Sequence, residues 1–221
     1  MEYYKQNVAH LCDQKGISLT EFENIIYIPK VRIIDPTPPE LLRIANYFNL
    51  SLDTIVKKDL KLVDKVSANN IKLVVLDVDG TLTDGGIYYT ENGDTMKKFN
   101  SKDGLAIKRK TSEGLLFGII SHAFKSNTIT ERAELLGIQK VYVGQGKKID
   151  VLKNWCTEHN LSLKQVAYVG DDINDLDVMN EVGLAACPND AIEEIKKASH
   201  IILSKNGGNA CVREFIDDWL S

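Results

Sequence analysis

The chain has 221 residues, 43% of them hydrophobic and 26% charged, enough for one full-sized core with a small module beside it. No apolar run approaches the ~20 residues a membrane helix requires, and the amino terminus, Met1-Glu2-Tyr3-Tyr4-Lys5, lacks the layout of a secretory signal. A soluble, cytoplasmic protein without a membrane partner is expected. The net charge of −4 gives no general attraction to nucleic acid. The four cysteines, Cys12, Cys156, Cys187 and Cys211, form no C-x-x-C pair and read as small buried hydrophobes rather than a zinc or redox site.

Residues 1–58 have a texture of their own. Apolar residues recur at helical spacing over 8–15, 19–26 and 39–48, and prolines cluster at Pro36, Pro38 and Pro39. With the ending Leu50-Ser51-Leu52-Asp53-Thr54-Ile55, these stretches resemble the helix-turn-helix domains of the Cro and phage-repressor type. Between the second helix and Pro38 only residues 27–37 remain, too few and too rich in proline for a normal recognition helix. The module is therefore expected to be a degenerate unit for packing or assembly, with nucleic acid not expected as a partner. Residues 61–70 connect it, with some helix of their own, to a main domain spanning 59–221.

From Ile71 onward, short apolar runs at 72–76, 115–120, 140–143, 166–169, 183–186 and 200–203 alternate with helical stretches at 104–112, 128–136, 148–159, 175–181 and 191–198. Parallel strands need long crossovers and bury both faces, so this alternation predicts an α/β fold with a doubly wound parallel sheet. One departure is the segment 85–99, where Asn92-Gly93 separates two strand-like runs and predicts a β-hairpin. The hairpin follows the first strand's carboxyl end, where ligands bind in open α/β sheets, so it either helps form the site or is an inert surface feature.

Asp77 and Asp79 directly follow the first buried strand, and Gly170-Asp171-Asp172 with Asp175 follows another. A lone pair of acids is ordinarily a helix cap or turn former. Two acidic strand ends in one sheet point instead to a hard divalent cation, because crowded carboxylates otherwise repel and lose their charge. Lys148 by itself says little, since the nearby Gly144-Gln145-Gly146-Lys147 lacks the spacing of a Walker loop.

Taken in order, Asp77-Val78-Asp79-Gly80-Thr81, Ser121 after Gly118-Ile119-Ile120, Lys148, and Gly170-Asp171-Asp172 with Asp175 resemble the four motifs of the haloacid dehalogenase superfamily. The resemblance implies a magnesium-dependent phosphatase. Asp77 would attack phosphorus, and Asp79 would donate and later accept the proton. Asp77, the Asp79 backbone carbonyl and Asp171 would hold Mg2+, Ser121 and Lys148 would hold the phosphoryl oxygens, and Asp172 and Asp175 would orient the surrounding groups.

A narrower resemblance rests on Asp84-Gly85-Gly86-Ile87-Tyr88, Lys98-Phe99-Asn100-Ser101-Lys102-Asp103-Gly104, Gly144-Gln145, 166–172 and Gly207-Gly208. These segments are similar to the capless 3-deoxy-D-manno-octulosonate 8-phosphate phosphatases of lipopolysaccharide biosynthesis and their nonulosonate 9-phosphate relatives. That family forms homotetramers in which a neighbouring subunit closes the site. It implies contacts to a sugar-acid phosphate from Asn100, Lys102, Asp103, Gly104, Lys108 and Arg132. The chain departs from the family at Ser121-His122-Ala123, where Thr-Gly-Arg or Thr-Gly-Glu is usual, at Lys108, where Arg is frequent, and at Asn209. His122 either replaces the lost contact or is a loop histidine; His10, His159 and His200 read as structural or solvated. The alternative function is a regulator whose helical module binds DNA while the phosphatase fold senses a sugar phosphate.

Overall fold

The computed structural model describes residues 3–89, 91, 95–123 and 127–220. The chain divides into two compact units, Met1–Ala68 and Asn69–Ser221.

The first unit is all helical: α1 (Tyr4–Gln14), α2 (Leu19–Ile26), α3 (Lys30–Ile34), α4 (Pro38–Tyr47), α5 (Leu52–Lys57) and most of α6 (Leu60–Asn69). Local chemistry sets the starts. At α2 the Ser18 hydroxyl accepts from Glu21 N and the Glu21 carboxylate accepts from Ser18 N. At α4, Glu40 does the same for Thr37 N, while Pro38 and Pro39 occupy first-turn positions that need no N–H donor. The core gathers Tyr4, Val8, Phe22, Ile33, Ile44 and Ile55, and Phe22, Tyr47 and Phe48 pack with ring centroids 5.0–5.1 Å apart. Buried Asn7 ties the unit's end to its start, donating to Ile55 O and Lys58 O and accepting from Leu60 N. The segment expected to be too short for a recognition helix forms α3, of only five residues. The boundary lies ten residues beyond the expected 58, because α6 continues the helical unit.

The second unit contains a six-stranded parallel sheet in the order β5-β4-β1-β6-β7-β8. Its strands are β1 (Leu73–Leu76), β4 (Leu116–Ser121), β5 (Lys140–Val143), β6 (Val166–Val169), β7 (Leu184–Cys187) and β8 (Ile201–Ile202). All six lie where the sequence pattern puts them, to within a residue or two at either end. The hairpin is also present, as β2 (Tyr88–Tyr89) paired antiparallel with β3 (Thr95–Met96); its Asn92-Gly93 turn lies outside the described residues. Helices α7 (Ser101–Ser112), α8 (Asn127–Leu136), α9 (Lys148–Glu158), α10 (Leu176–Glu181), α11 (Glu193–Ala198) and α12 (Cys211–Trp219) complete the unit. The expected alternation of strands and helices ends at residue 203 and does not include α12, although Val212, Phe215 and Ile216 carry the i, i+3, i+4 spacing of a buried helix face.

Successive side chains of β1 point to opposite faces. Leu73 and Val75 join Leu152, Trp155, Val178 and Ile195 of α9, α10 and α11, while α7 packs on β4 with α8 and α12 beside it. With both faces covered, β1 is fully buried. Leu76 pairs with Ile119 of β4 on one side and with Val169 of β6 on the other. The chain leaves β1 toward β4 and returns to β1's other flank as β6. The carboxyl ends of these three strands therefore flank the crevice where the strand order reverses.

Candidate active site

Asp77 is the first residue past β1, held there by its N–H donating to Val169 O at 2.9 Å. Asp171 and Asp175 come from the turn after β6, and Lys148 opens α9. An ammonium group at a helix amino terminus opposes the helix dipole, so this placement needs acidic partners. Lys148 Nζ has two: Asp77 Oδ1 at 2.8 Å and Asp175 Oδ1 at 2.7 Å, with the lysine side chain wholly buried.

One carboxylate oxygen from each of Asp77, Asp171 and Asp175 lies within 4.8 Å of the other two. Asp175 is nonetheless committed to the protein: Oδ1 accepts from Lys148 and from the Tyr168 hydroxyl, and Oδ2 accepts from Asp171 N at 3.0 Å and Asp172 N at 3.3 Å. That leaves Asp77 and Asp171 as the acids with oxygens to offer. Burial, reinforced by Asp175, pushes Asp77 up to about 8 against the pull of Lys148, and burial with Asp175 pushes Asp171 up to about 7. Lys148 is held above its usual range: burial alone would lower it, and Asp77 and Asp175 outweigh that. Three carboxylates against one ammonium leave excess negative charge in a buried place. Hard oxygen donors with that charge fit a divalent cation such as magnesium.

The turn Val78–Leu82 brings Asp171 close. Gly80 has φ +88°, and a Cβ there would lie 2.0 Å from Asp171 Oδ2, so only glycine lets the two strand ends approach. Thr81 Oγ1 donates to Asp171 Oδ1 at 2.9 Å. Gly207 closes on the same turn, where a Cβ would lie 1.8 Å from Gly80 O. The Asp79 carboxylate stands apart from the acidic cluster and pairs with Lys97, whose side chain is 6% exposed. Lys97 belongs to none of the motifs named above; what marks it in the sequence is its place on the outgoing arm of a hairpin expected near the site.

Ser121 ends β4, buried, with its Oγ accepting from Ala123 N at 3.2 Å. Asp172 is exposed and differs from Asp175 in what it orders: its Oδ1 accepts from Ile173 N at 2.7 Å and so shapes only its own turn. The residues expected to meet substrate separate into groups. Asn100 caps α7, accepting from Lys102 N, and donates to Gly208 O at 3.0 Å. Arg132 Nη2 donates to Asn100 O at 3.4 Å, covers the Phe99 ring at 5.7 Å, and occupies the space a Gly104 side chain would take. Asp103 is buried: its Oδ1 accepts from Arg213 N at 2.6 Å in the first turn of α12, and its Oδ2 has no hydrogen-bond partner. Lys102 and Lys108 are exposed, and Lys108 lies more than a turn and a half along α7 from its cap.

His122 has both ring nitrogens engaged, Nε2 with Gly146 O at 2.9 Å and Nδ1 with Asn174 Nδ2 at 3.3 Å. An amide NH2 donating to Nδ1 leaves the ring proton on Nε2 for the Gly146 carbonyl. His122 thus joins two turns of the site. The four cysteines are free and buried, and no helix among the described residues is long and apolar enough to cross a membrane.

A model of the haloacid dehalogenase-like hydrolases matches residues 115–216. The 3-deoxy-D-manno-octulosonate 8-phosphate phosphatase of Escherichia coli is 36% identical over 150 residues, 68% of this chain and 79% of that enzyme. The chain belongs to this family of phosphatases. Among solved structures of the family, a YrbI-family phosphatase of Pseudomonas syringae pv. phaseolica superposes with a TM-score of 0.68 at 38% identity, over 72% of this chain and 88% of that one. The octulosonate 8-phosphate phosphatase of Moraxella catarrhalis, solved with magnesium, phosphate and a KDO molecule, gives 0.69 at 32% identity, over 72% and 90%. The parallel sheet with helices on both faces is the fold of this phosphatase family.

Proposed function

We propose that this phosphatase hydrolyses a sugar-acid phosphate, 3-deoxy-D-manno-octulosonate 8-phosphate foremost, using magnesium and an aspartyl-phosphate intermediate. The observation that carries the reading is the buried Lys148 bridging Asp77 and Asp175 beside Asp171 at the sheet's switch point, in a chain of this family.

In this reading an Asp77 oxygen uses a lone pair to form a bond to phosphorus as the ester P–O bond breaks. Asp79 gives its proton to the departing sugar oxygen, then takes one from the water whose oxygen attacks the aspartyl-phosphate, releasing phosphate and restoring the Asp77 carboxylate. Lys148 and Ser121 hold the phosphoryl oxygens where negative charge develops. Asp77, the Asp79 backbone carbonyl and Asp171 would hold magnesium, which supplies positive charge to the phosphoryl group and to the crowded carboxylates. Asp175 keeps Lys148 aimed, and Asp172 acts by shaping the turn. For the sugar acid, the closeness of Arg132 to Asn100 and Gly104 supports those three among the expected contacts. Exposed Ile87, Tyr88, Tyr89 and Met96 on the hairpin support a homotetramer in which a neighbour closes the site. The replacement of the family's usual loop by Ser121-His122-Ala123 makes a nonulosonate 9-phosphate the second substrate to try.

The test is phosphate release with magnesium across a panel of sugar phosphates. The octulosonate ester should give the highest kcat/KM, and Asp77→Asn should release none while keeping the fold. A flat response across the panel would remove the substrate; wild-type turnover by Asp77→Asn would remove the nucleophile.

A further inference from the structure

The imidazole of His122 lies outside the acidic cluster, yet it touches two of the segments that build it. His122 follows Ser121 at the end of β4; its Nε2 donates to Gly146 O at 2.9 Å, and its Nδ1 meets Asn174 Nδ2 at 3.3 Å. Gly146 stands two residues before Lys148, and Asn174 stands immediately before Asp175. The Lys148–Asp175 ion pair at 2.7 Å therefore joins the same two segments that the ring joins. The backbone adds to the tie: Ser121 O accepts from Gly144 N at 3.0 Å, and His122 O accepts from Gln145 Nε2 at 2.6 Å. The loop that delivers Lys148 needs such holding, because it carries two glycines, whose backbone has more freedom to lose than that of any other residue. A Cβ at Gly144 or Gly146 would lie 2.8 or 2.6 Å from the Tyr142 hydroxyl, to which Gly146 N donates at 3.0 Å. Tyr142 thus holds the N–H of Gly146, and His122 holds its carbonyl.

We propose that His122 is a positioning residue for phosphate binding: by tying Gly146 to Asn174 it fixes the start of α9 against the turn after β6, and with it the place where the Lys148 ammonium meets a phosphoryl oxygen. The proposal rests on the reading of Lys148 as a group that holds phosphate. His122 acts through Lys148 and not on the phosphoryl group itself. Its ring is half-buried, while Gly146 and Asn174 are exposed. Hydrogen bonds that exchange readily with water contribute little to global stability, so their loss shows in where Lys148 stands more than in whether the chain folds. A binding group displaced by about 1 Å can cost on the order of 10²-fold.

The experiment measures binding of inorganic phosphate by titration calorimetry at saturating magnesium, with the melting temperature followed in parallel. His122→Ala should weaken phosphate binding about fivefold to fiftyfold, within what a small misplacement costs. The rise in melting temperature produced by magnesium alone should stay at its wild-type value, because Asp77 and Asp171 keep their oxygens. His122→Gln retains a side-chain donor and acceptor and should recover part of the loss, whereas His122→Phe retains only the bulk of a ring and should not. Adding Asn174→Ala to His122→Ala should cost little more, because both changes break one tie. Wild-type phosphate affinity in His122→Ala would overturn the proposal. A magnesium response that falls in step with phosphate affinity would do the same, since His122 would then support the acidic turn as a whole, and so would equal losses in the Gln and Phe variants. Lys148→Met, or Lys148→Gln where that does not fold, is the control for the underlying reading: if it binds phosphate as tightly as the wild type, Lys148 does not hold phosphate, and the failure lies there rather than with His122.

Discussion

Lys148 Nζ stands 2.8 Å from Asp77 Oδ1, and neither side chain is more than 6% exposed. A charge pair sealed in this way is costly to assemble and costly to break, since removing one partner strands the other without solvent. Asp175, 2.7 Å away on the other side, makes the lysine the single cation among three acids.

Lys148→Met should therefore damage both function and fold. Loss of one fixed donor to a developing phosphoryl charge lowers turnover about 10²- to 10³-fold. The stranded carboxylates should lower unfolding free energy by about 3–5 kcal/mol at neutral pH, measured by urea denaturation followed through tryptophan fluorescence. Wild-type stability with lost activity would mean that Asp77 and Asp175 find other partners.

The acidic cluster also sets a pH dependence. Asp77 rises from its ordinary 3.8 to about 8 and Asp171 to about 7, in both cases chiefly through burial. A carboxyl that holds its proton more tightly when folded contributes stability fully below about pH 4, and that contribution is lost as the pH climbs toward 7 to 8. Without divalent cations, the melting temperature should fall over that window. Magnesium should raise it, and by more at pH 8 than at pH 5, because protons and the cation compete for the same oxygens. A magnesium shift equal at both pH values would contradict a cation bound by these acids.

Gly80→Ala tests the close approach of the two strand ends. The new Cβ would stand 2.0 Å from Asp171 Oδ2 on a residue with φ +88°. The backbone strain alone costs about 1–3 kcal/mol, and Asp171 must move. We expect a lower melting temperature and a magnesium requirement for half-maximal activity raised about tenfold or more. A variant with wild-type magnesium dependence would separate Asp171 from the metal.

The alternating pattern from Ile71 onward determined all six strands of the sheet, because β1, β4 and β6 are buried on both faces and read as unbroken apolar runs. It also put Asp77, Ser121 and Asp171 at strand ends. Strand order was not written there. It arises from which crossovers pack on which face, and it makes the ends of β4, β1 and β6 neighbours. Only the tertiary structure paired Lys148 with Asp77 and Asp175, since these lie 71 and 27 residues apart in the chain, and only it gave Asp79 to Lys97. It likewise gave Asp103 Oδ1 to the backbone of α12. A lysine or an aspartate carries the same charge wherever it stands in the sequence. Which counter-charge it meets, and whether water reaches it, is settled by packing.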